Sequence, residues 1–197
     1  SDLVAARELG GSGIIHAFEP RPDTAKMLRR TVADNRLEDR IKVWELALDD
    51  HDGVTGLAWE PGSSNPGHSF LESPGGGYQG GPAVELARVR AAMLDSVLPD
   101  LLPDVVKIDV EGAEPRVIAG AQEALRRRKP IVLSELFPEQ LKAVSRSSPA
   151  AYIGLMEVLG YHCFLLEKGR PGRRLKDFPS DAKRELVSVV FEPVNRR

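Results

Sequence analysis

Three short apolar runs, each closing on a carboxylate, constrain this chain more than any other feature. Ile14-Ile15-His16-Ala17-Phe18 leads into Glu19, Val105-Val106-Lys107-Ile108 into Asp109, and Ile131-Val132-Leu133-Ser134 into Glu135. Runs this short, bounded by turn signals, suit buried strands better than helices. Helical spacing follows two of them. Residues 23–35 set Ala25, Leu28 and Val32 on one face behind Pro22 and Asp23, with Asn35 as the stop. Residues 113–127 set Val117, Ile118, Ala121 and Leu125 on another. Strand and helix alternating in this way wind right-handed βαβ units into a parallel sheet. Ligands of such a sheet lie outside the carboxyl ends of its strands, the edge to which all three acids belong.

The remaining stretches fit the same frame. Residues 2–9 read as the end of an amphipathic helix stopped by Gly10-Gly11, and residues 41–46 as a strand. Residues 60–82 contain eleven Gly or Pro among 23 positions, which predicts a long loop, and a loop of that length reads as either a functional lid or a disordered segment. A strand over 84–89 and a short helix over 93–98 follow. The tail reads as a helix over 149–159, a strand over 162–166, a basic loop over 168–176 and a strand over 186–191. Two strands joined without a crossover helix predict an antiparallel pair at the sheet edge.

A length of 197 residues with 42% hydrophobic residues supports one domain with one sizeable core. The net charge of −2 supplies no general attraction to nucleic acid or anionic membrane, so neither is an expected partner. The single cysteine, Cys163, sits in an apolar strand run and offers neither a disulfide framework nor a cysteine metal site, in keeping with a cytoplasmic setting. No apolar run approaches the ~18 residues of a membrane span.

The acids carry the candidate chemistry. Glu19, ending an early strand, is placed to bind both hydroxyls of a cofactor ribose, or is a solvated strand end. Asp109, Glu111 and Glu114 crowd one strand-to-helix turn, where Gly112 permits the bend. Glu111 and Glu114 read either as complements to the positive end of the following helix or as members of the site, and Asp109 either as a group facing the reaction or as a ligand of a divalent ion. Glu135 could join Asp109 from the neighbouring strand to share a proton, hold a Mg²⁺ ion or orient an acceptor hydroxyl. His68, among Ser63, Ser64, Asn65 and Ser69, reads as either a base or an ordinary loop histidine. His16 and His162 read as core histidines with satisfied hydrogen bonds.

In combination these residues resemble a known family. Ala17-Phe18-Glu19-Pro20, Asn35, Ala47-Leu48-Asp49-Asp50 with Gly53, Leu94-Asp95-Ser96 and above all Val106-Lys107-Ile108-Asp109-Val110-Glu111-Gly112-Ala113-Glu114 are similar to the FkbM methyltransferases, over residues 13–137. The resemblance implies a Rossmann-like class I fold with a mostly parallel seven-stranded sheet. It also implies S-adenosylmethionine as methyl donor and O-methylation of a natural product, other small molecule or carbohydrate acceptor. By position, Glu19 would bind the ribose, Pro20 with the stretch Glu45, Leu46, Ala47 and Leu48 would border the adenine, and Asp109 would lie near the methyl group. Asp109, Glu135 and His68 are the catalytic candidates. The family's first strand and Asp-x-Gly-Ala-x-x-Gly turn, expected ahead of Leu9, are not in the sequence. The reading is that an N-terminal part is absent, rather than that the protein is a degenerate scaffold. A nucleotide-dependent oxidoreductase is the enzyme alternative, since Glu19 on a ribose also suits NAD.

Overall fold

The computed structural model describes residues 13–59, 69–73 and 85–194. The helix expected over 2–9, His68 and most of the 60–82 segment lie outside these residues.

Strand β1 (Ile15–Phe18) pairs in parallel with β2 (Ile41–Trp44), and helix α1 (Pro22–Asp34) connects them. Helix α1 begins at Pro22, whose fixed φ suits the first helical position, and buries the predicted stripe at Ala25 and Val32, with Leu28 partly buried. Val32 and Leu28 pack with Ala17 and Ile41 of the two strands.

A second sheet of order β3-β6-β4-β5 combines β3 (Ala47–Leu48), β4 (Gly53–Trp59), β5 (Ser69–Leu71) and β6 (Glu85–Ala92). Its inner face, with Leu57, Leu71 and Val89, packs on Ala113, Val144 and Val110. Helix α2 (Leu94–Val97) then leads to the third sheet, of order β10-β9-β11-β8-β7. Its strands are β7 (Val105–Lys107), β8 (Ile131–Leu136), β9 (Tyr161–Glu167), β10 (Arg170–Leu175) and β11 (Val187–Pro193). Helices α3 (Glu114–Ala119), α4 (Gln122–Arg128), α5 (Pro138–Ser145) and α6 (Pro149–Val158) complete the described chain. The main core joins this sheet to the helices through Ile118, Leu125, Val132, Tyr152, Ile153 and Phe191. No helix among the described residues is long and apolar enough to cross a membrane.

The architecture corrects several expectations. The fold is α/β, but in place of one mostly parallel seven-stranded sheet the described residues form three sheets, with three parallel and five antiparallel pairings among them. The β9 and β11 strands are antiparallel as expected. They do not form an edge pair, because β11 sits between β8 and β9. The edge is β10, drawn from the segment expected to be a basic loop. Lys168 and Gly169, at φ +50° and +77°, make a tight reversal between β9 and β10. An edge strand tolerates Pro171 and the arginines that hid it.

The expected long loop also contains a strand. Ser69–Leu71 is a stretch without Gly or Pro, and it pairs with β4. The β4 strand itself went unanticipated, because Gly53-Val54-Thr55-Gly56-Leu57-Ala58-Trp59 carries two glycines. Over one of them, Gly56, the Glu72 side chain occupies the space a Cβ would take.

The helix expected over 113–127 is two helices broken at Gly120 and Ala121. A Cβ on Gly120 would lie 2.0 Å from the Asp49 carbonyl oxygen, so the break lets backbone meet backbone there. Helix α4 restarts with its N-terminal donors satisfied from another element. Asp95 accepts from the N–H groups of Glu123 at 2.9 Å and Ala124 at 3.0 Å, a cap supplied across 28 residues of chain.

Candidate functional site

Glu19 follows β1 and extends its ladder by donating its N–H to the Trp44 carbonyl at 2.9 Å. Its Oε1 accepts from the Arg21 N–H at 2.9 Å, and Oε2 has no hydrogen bond among the described residues. The carboxyl is half-buried, and burial holds it above the usual Glu range. Pro20 and Pro22 flank Arg21 and restrict the turn. The Arg21 guanidinium lies over the Trp59 ring, 4.7 Å from its centroid, so the last residue of β4 borders this strand end. Phe18 and His16 stack on Trp44, at centroid distances of 6.1 and 6.0 Å. His16 has the satisfied bond expected of it, with Nδ1 accepting from Trp44 Nε1 at 3.0 Å. His162 does not: its Nδ1 is buried with no hydrogen-bond partner among the described residues.

Among the residues expected to border an adenine, Glu45, Leu46 and Ala47 differ in accessibility. The exposed Glu45 carboxylate is engaged by Arg29 at 2.7 Å. Leu46 and Ala47 are buried at 2% and 3% exposure, so their side chains serve the core.

The turn after β7 holds the second group. Asp109 is exposed and accepts from Lys107 Nζ at 2.6 Å. Glu111 and Gly112 both take left-handed backbone, at φ +51° and +97°. A Cβ on Gly112 would fall 2.4 Å from the Gln140 carbonyl oxygen, so glycine is required for space as well as for conformation. Glu114 is buried beneath this turn, where Oε1 takes long hydrogen bonds from the N–H groups of Val110 at 3.4 Å and Gly112 at 3.3 Å. Burial pushes its carboxyl up to about 7. Ser145 Oγ donates to the Gly112 carbonyl at 2.6 Å, securing the turn from α5.

Glu135, on β8 beside β7, is the partly buried third acid. Burial raises its carboxyl, and the charges of Asp109 and Glu111 push it the same way. The fold therefore brings the two expected acids into one electrostatic neighbourhood and adds Glu111 to it. It gives no support to a Mg²⁺ at Asp109 and Glu135. Lys107 already neutralises Asp109, and these acids are not among residues offering three ligand atoms within 4.8 Å of one another. The one such group among the described residues is Asp49, Asp50 and His51, where Arg116 already engages both oxygens of Asp49.

A model of the methyltransferase FkbM domain matches residues 1–163. The chain belongs to the FkbM methyltransferase family. The crystal structure of a methyltransferase FkbM from Methylobacillus flagellatus KT shares its fold, with a TM-score of 0.54 at 16% identity. That alignment covers 96% of this chain and 39% of the other, so the chain spans about two fifths of its structural relative. No curated protein matches the sequence.

Several positions that carry the FkbM resemblance prove to be architectural. Asp49 is buried against Arg116, Asp95 caps α4, and Gly112 and Glu114 shape the turn. Glu114 was expected to complement a helix end. It begins α3, but it is buried beneath the turn. Pro115 just after it and the apolar Ala113, Val117 and Ile118 around it were the available signal. The Arg21–Trp59 contact beside Glu19 went unrecognised, because 38 residues and a change of sheet separate the two.

Proposed function

We propose that this FkbM-family protein transfers a methyl group from S-adenosylmethionine to a hydroxyl oxygen of a small molecule, natural product or sugar. The observation that carries the reading is the Glu19 carboxylate at the carboxyl end of β1. One oxygen is held by Arg21 and the other takes no described partner, an arrangement suited to accepting from the paired hydroxyls of a ribose. Bound there, S-adenosylmethionine supplies a methyl group made electrophilic by its sulfonium.

The chain's own work lies at the second group of acids. Glu135, held protonatable by burial and by two neighbouring carboxylates, takes the proton of the acceptor hydroxyl as its oxygen bonds to the methyl carbon and the carbon–sulfur bond breaks. Asp109 orients the acceptor, and Lys107 holds its carboxylate in place at 2.6 Å. Holding the acceptor in line supplies much of the acceleration, and the carboxylates act without Mg²⁺ in this reading.

Calorimetric titration of the full protein with S-adenosylhomocysteine and with NAD tests it. S-adenosylhomocysteine should bind while NAD gives no heat. Binding of NAD alone would turn the reading to an oxidoreductase, and silence of both to a non-catalytic scaffold.

A further inference from the structure

The Glu19 turn is tied to a sheet to which it does not belong. Arg21 is at once the residue whose N–H holds the Glu19 carboxylate at 2.9 Å, the cap residue of α1, and the cation over Trp59 at 4.7 Å. Its backbone has little freedom of its own. A residue before proline is driven out of the helical region, and Arg21 sits at φ −79°, ψ 118° before Pro22. With Pro20 on its other side, the Glu19 turn has few soft torsions, and the guanidinium on Trp59 anchors them to the end of β4.

We propose that Arg21 is a positioning residue for Glu19: through its cation–π contact with Trp59 it ties the turn to the four-stranded sheet, so that the carboxylate is already oriented when it meets a ribose. The inference rests on the reading of Glu19 as the ribose-binding acid. It makes β4 of the second sheet part of the cofactor site, although only Ala47 and Leu48 of that sheet were expected there. A carboxylate on a turn free to pivot must be ordered when the ligand arrives, and that ordering subtracts from affinity. A cation held over an indole removes the motion beforehand.

The test is a set of S-adenosylhomocysteine affinities measured by calorimetry on the full protein, in two backgrounds. Substitution leaves the backbone N–H in place, so Arg21→Ala removes the side chain's contact with Trp59 together with its charge beside Glu19, and the Trp59 variants below separate the two. Arg21→Ala should weaken binding about threefold to tenfold when Glu19 is present, the scale of one cation–π contact and some lost order. In the Glu19→Ala background the same change should have an effect below about twofold, because there is no carboxylate left to orient. Arg21→Lys, which keeps a cation over the ring, should recover most of the loss, and Trp59→Phe should bind more tightly than Trp59→Ala.

An equal loss from Arg21→Ala in both backgrounds would mean that the side chain acts on the ligand or on general stability, and would overturn the proposal. If Glu19→Ala itself left affinity unchanged in a folded protein, the ribose reading beneath the proposal would fall instead. The two tryptophans of the chain, Trp44 and Trp59, both border this turn, so quenching of their fluorescence gives an independent titration.

Discussion

Arg116 grips Asp49 with two parallel hydrogen bonds, from Nε to Oδ1 at 2.7 Å and from Nη2 to Oδ2 at 2.5 Å, joining residues 67 apart in the chain. Asp49 is fully buried and Arg116 nearly so. The third arm of the guanidinium donates from Nη1 to the Glu72 carbonyl at 2.8 Å, and Asp49 Oδ1 also accepts from the Asp50 N–H. One ion pair thus ties β3, α3 and the chain leaving β5.

Breaking this pair from one side leaves a buried charge without its partner. Asp49→Ala and Arg116→Ala should each cost about 3–5 kcal/mol, well above the loss from an exposed pair such as Arg30–Asp34. Chemical denaturation with both single variants and the double variant checks this. A double variant no less stable than either single one would show the pair acting as a unit.

Gly120→Ala sets local preference against packing. Local preference alone favours alanine here by about 1 kcal/mol, because the flanking residues read as one continuous helix. The structure predicts the opposite sign, since the new Cβ would lie 2.0 Å from the Asp49 carbonyl oxygen while φ at −85° is unstrained. A fall in melting temperature is the expected result, and a rise would contradict the backbone contact.

Glu114 gives stability a pH dependence of definite sign. Its carboxyl is raised in the folded state from 4.5 to about 7, so the folded protein holds a proton that the unfolded chain has already released. The contribution is favourable at low pH and is lost as pH rises from the unfolded value through about 7. The total is on the order of 3 kcal/mol. Glu114→Gln keeps a hydrogen-bond acceptor and removes the titration. Relative to this variant, the wild type should lose stability between about pH 5 and pH 8, read from paired denaturation curves. A constant difference across that range would place the titration elsewhere.

Asp109→Asn and Glu135→Gln should each leave the fold and S-adenosylhomocysteine binding largely intact and lower turnover. About a hundredfold or more is the expected loss for the residue that takes the proton. Glu135 is the stronger candidate, so its variant should flatten the acidic limb of the pH–rate profile. Chelation should leave the wild-type rate unchanged, because Lys107 already compensates Asp109. Restoration of a chelated enzyme by Mg²⁺ would reverse that expectation.

Much of this molecule is written in local pattern. Apolar runs ending at Glu19, Asp109 and Glu135 become strands or their immediate ends, and the Ala25, Leu28, Val32 stripe becomes the inner side of α1. Such features follow from hydrophobic period, proline and capping residues, which act over a few positions. The family, too, was legible from short motifs, as was the grouping of Asp109 with Glu135, because neighbouring parallel strands bring their ends together.

The rest required contacts between distant parts of the chain. Nothing near Gly120 signals that it will meet Asp49, nor does Asp95 announce that it will cap a helix 28 residues onward. The division into three sheets and the place of β11 between β8 and β9 reflect which edges can pair, a choice made among distant strands. The chemical character of the site depends on the same choice. Glu114 reaches about 7 because the assembled core excludes water from it, and Arg21 reaches Trp59 because two sheets meet there. Burial and long-range pairing arise only when the whole chain has packed. Residue type and spacing therefore place these groups along the chain, and packing sets what each one does.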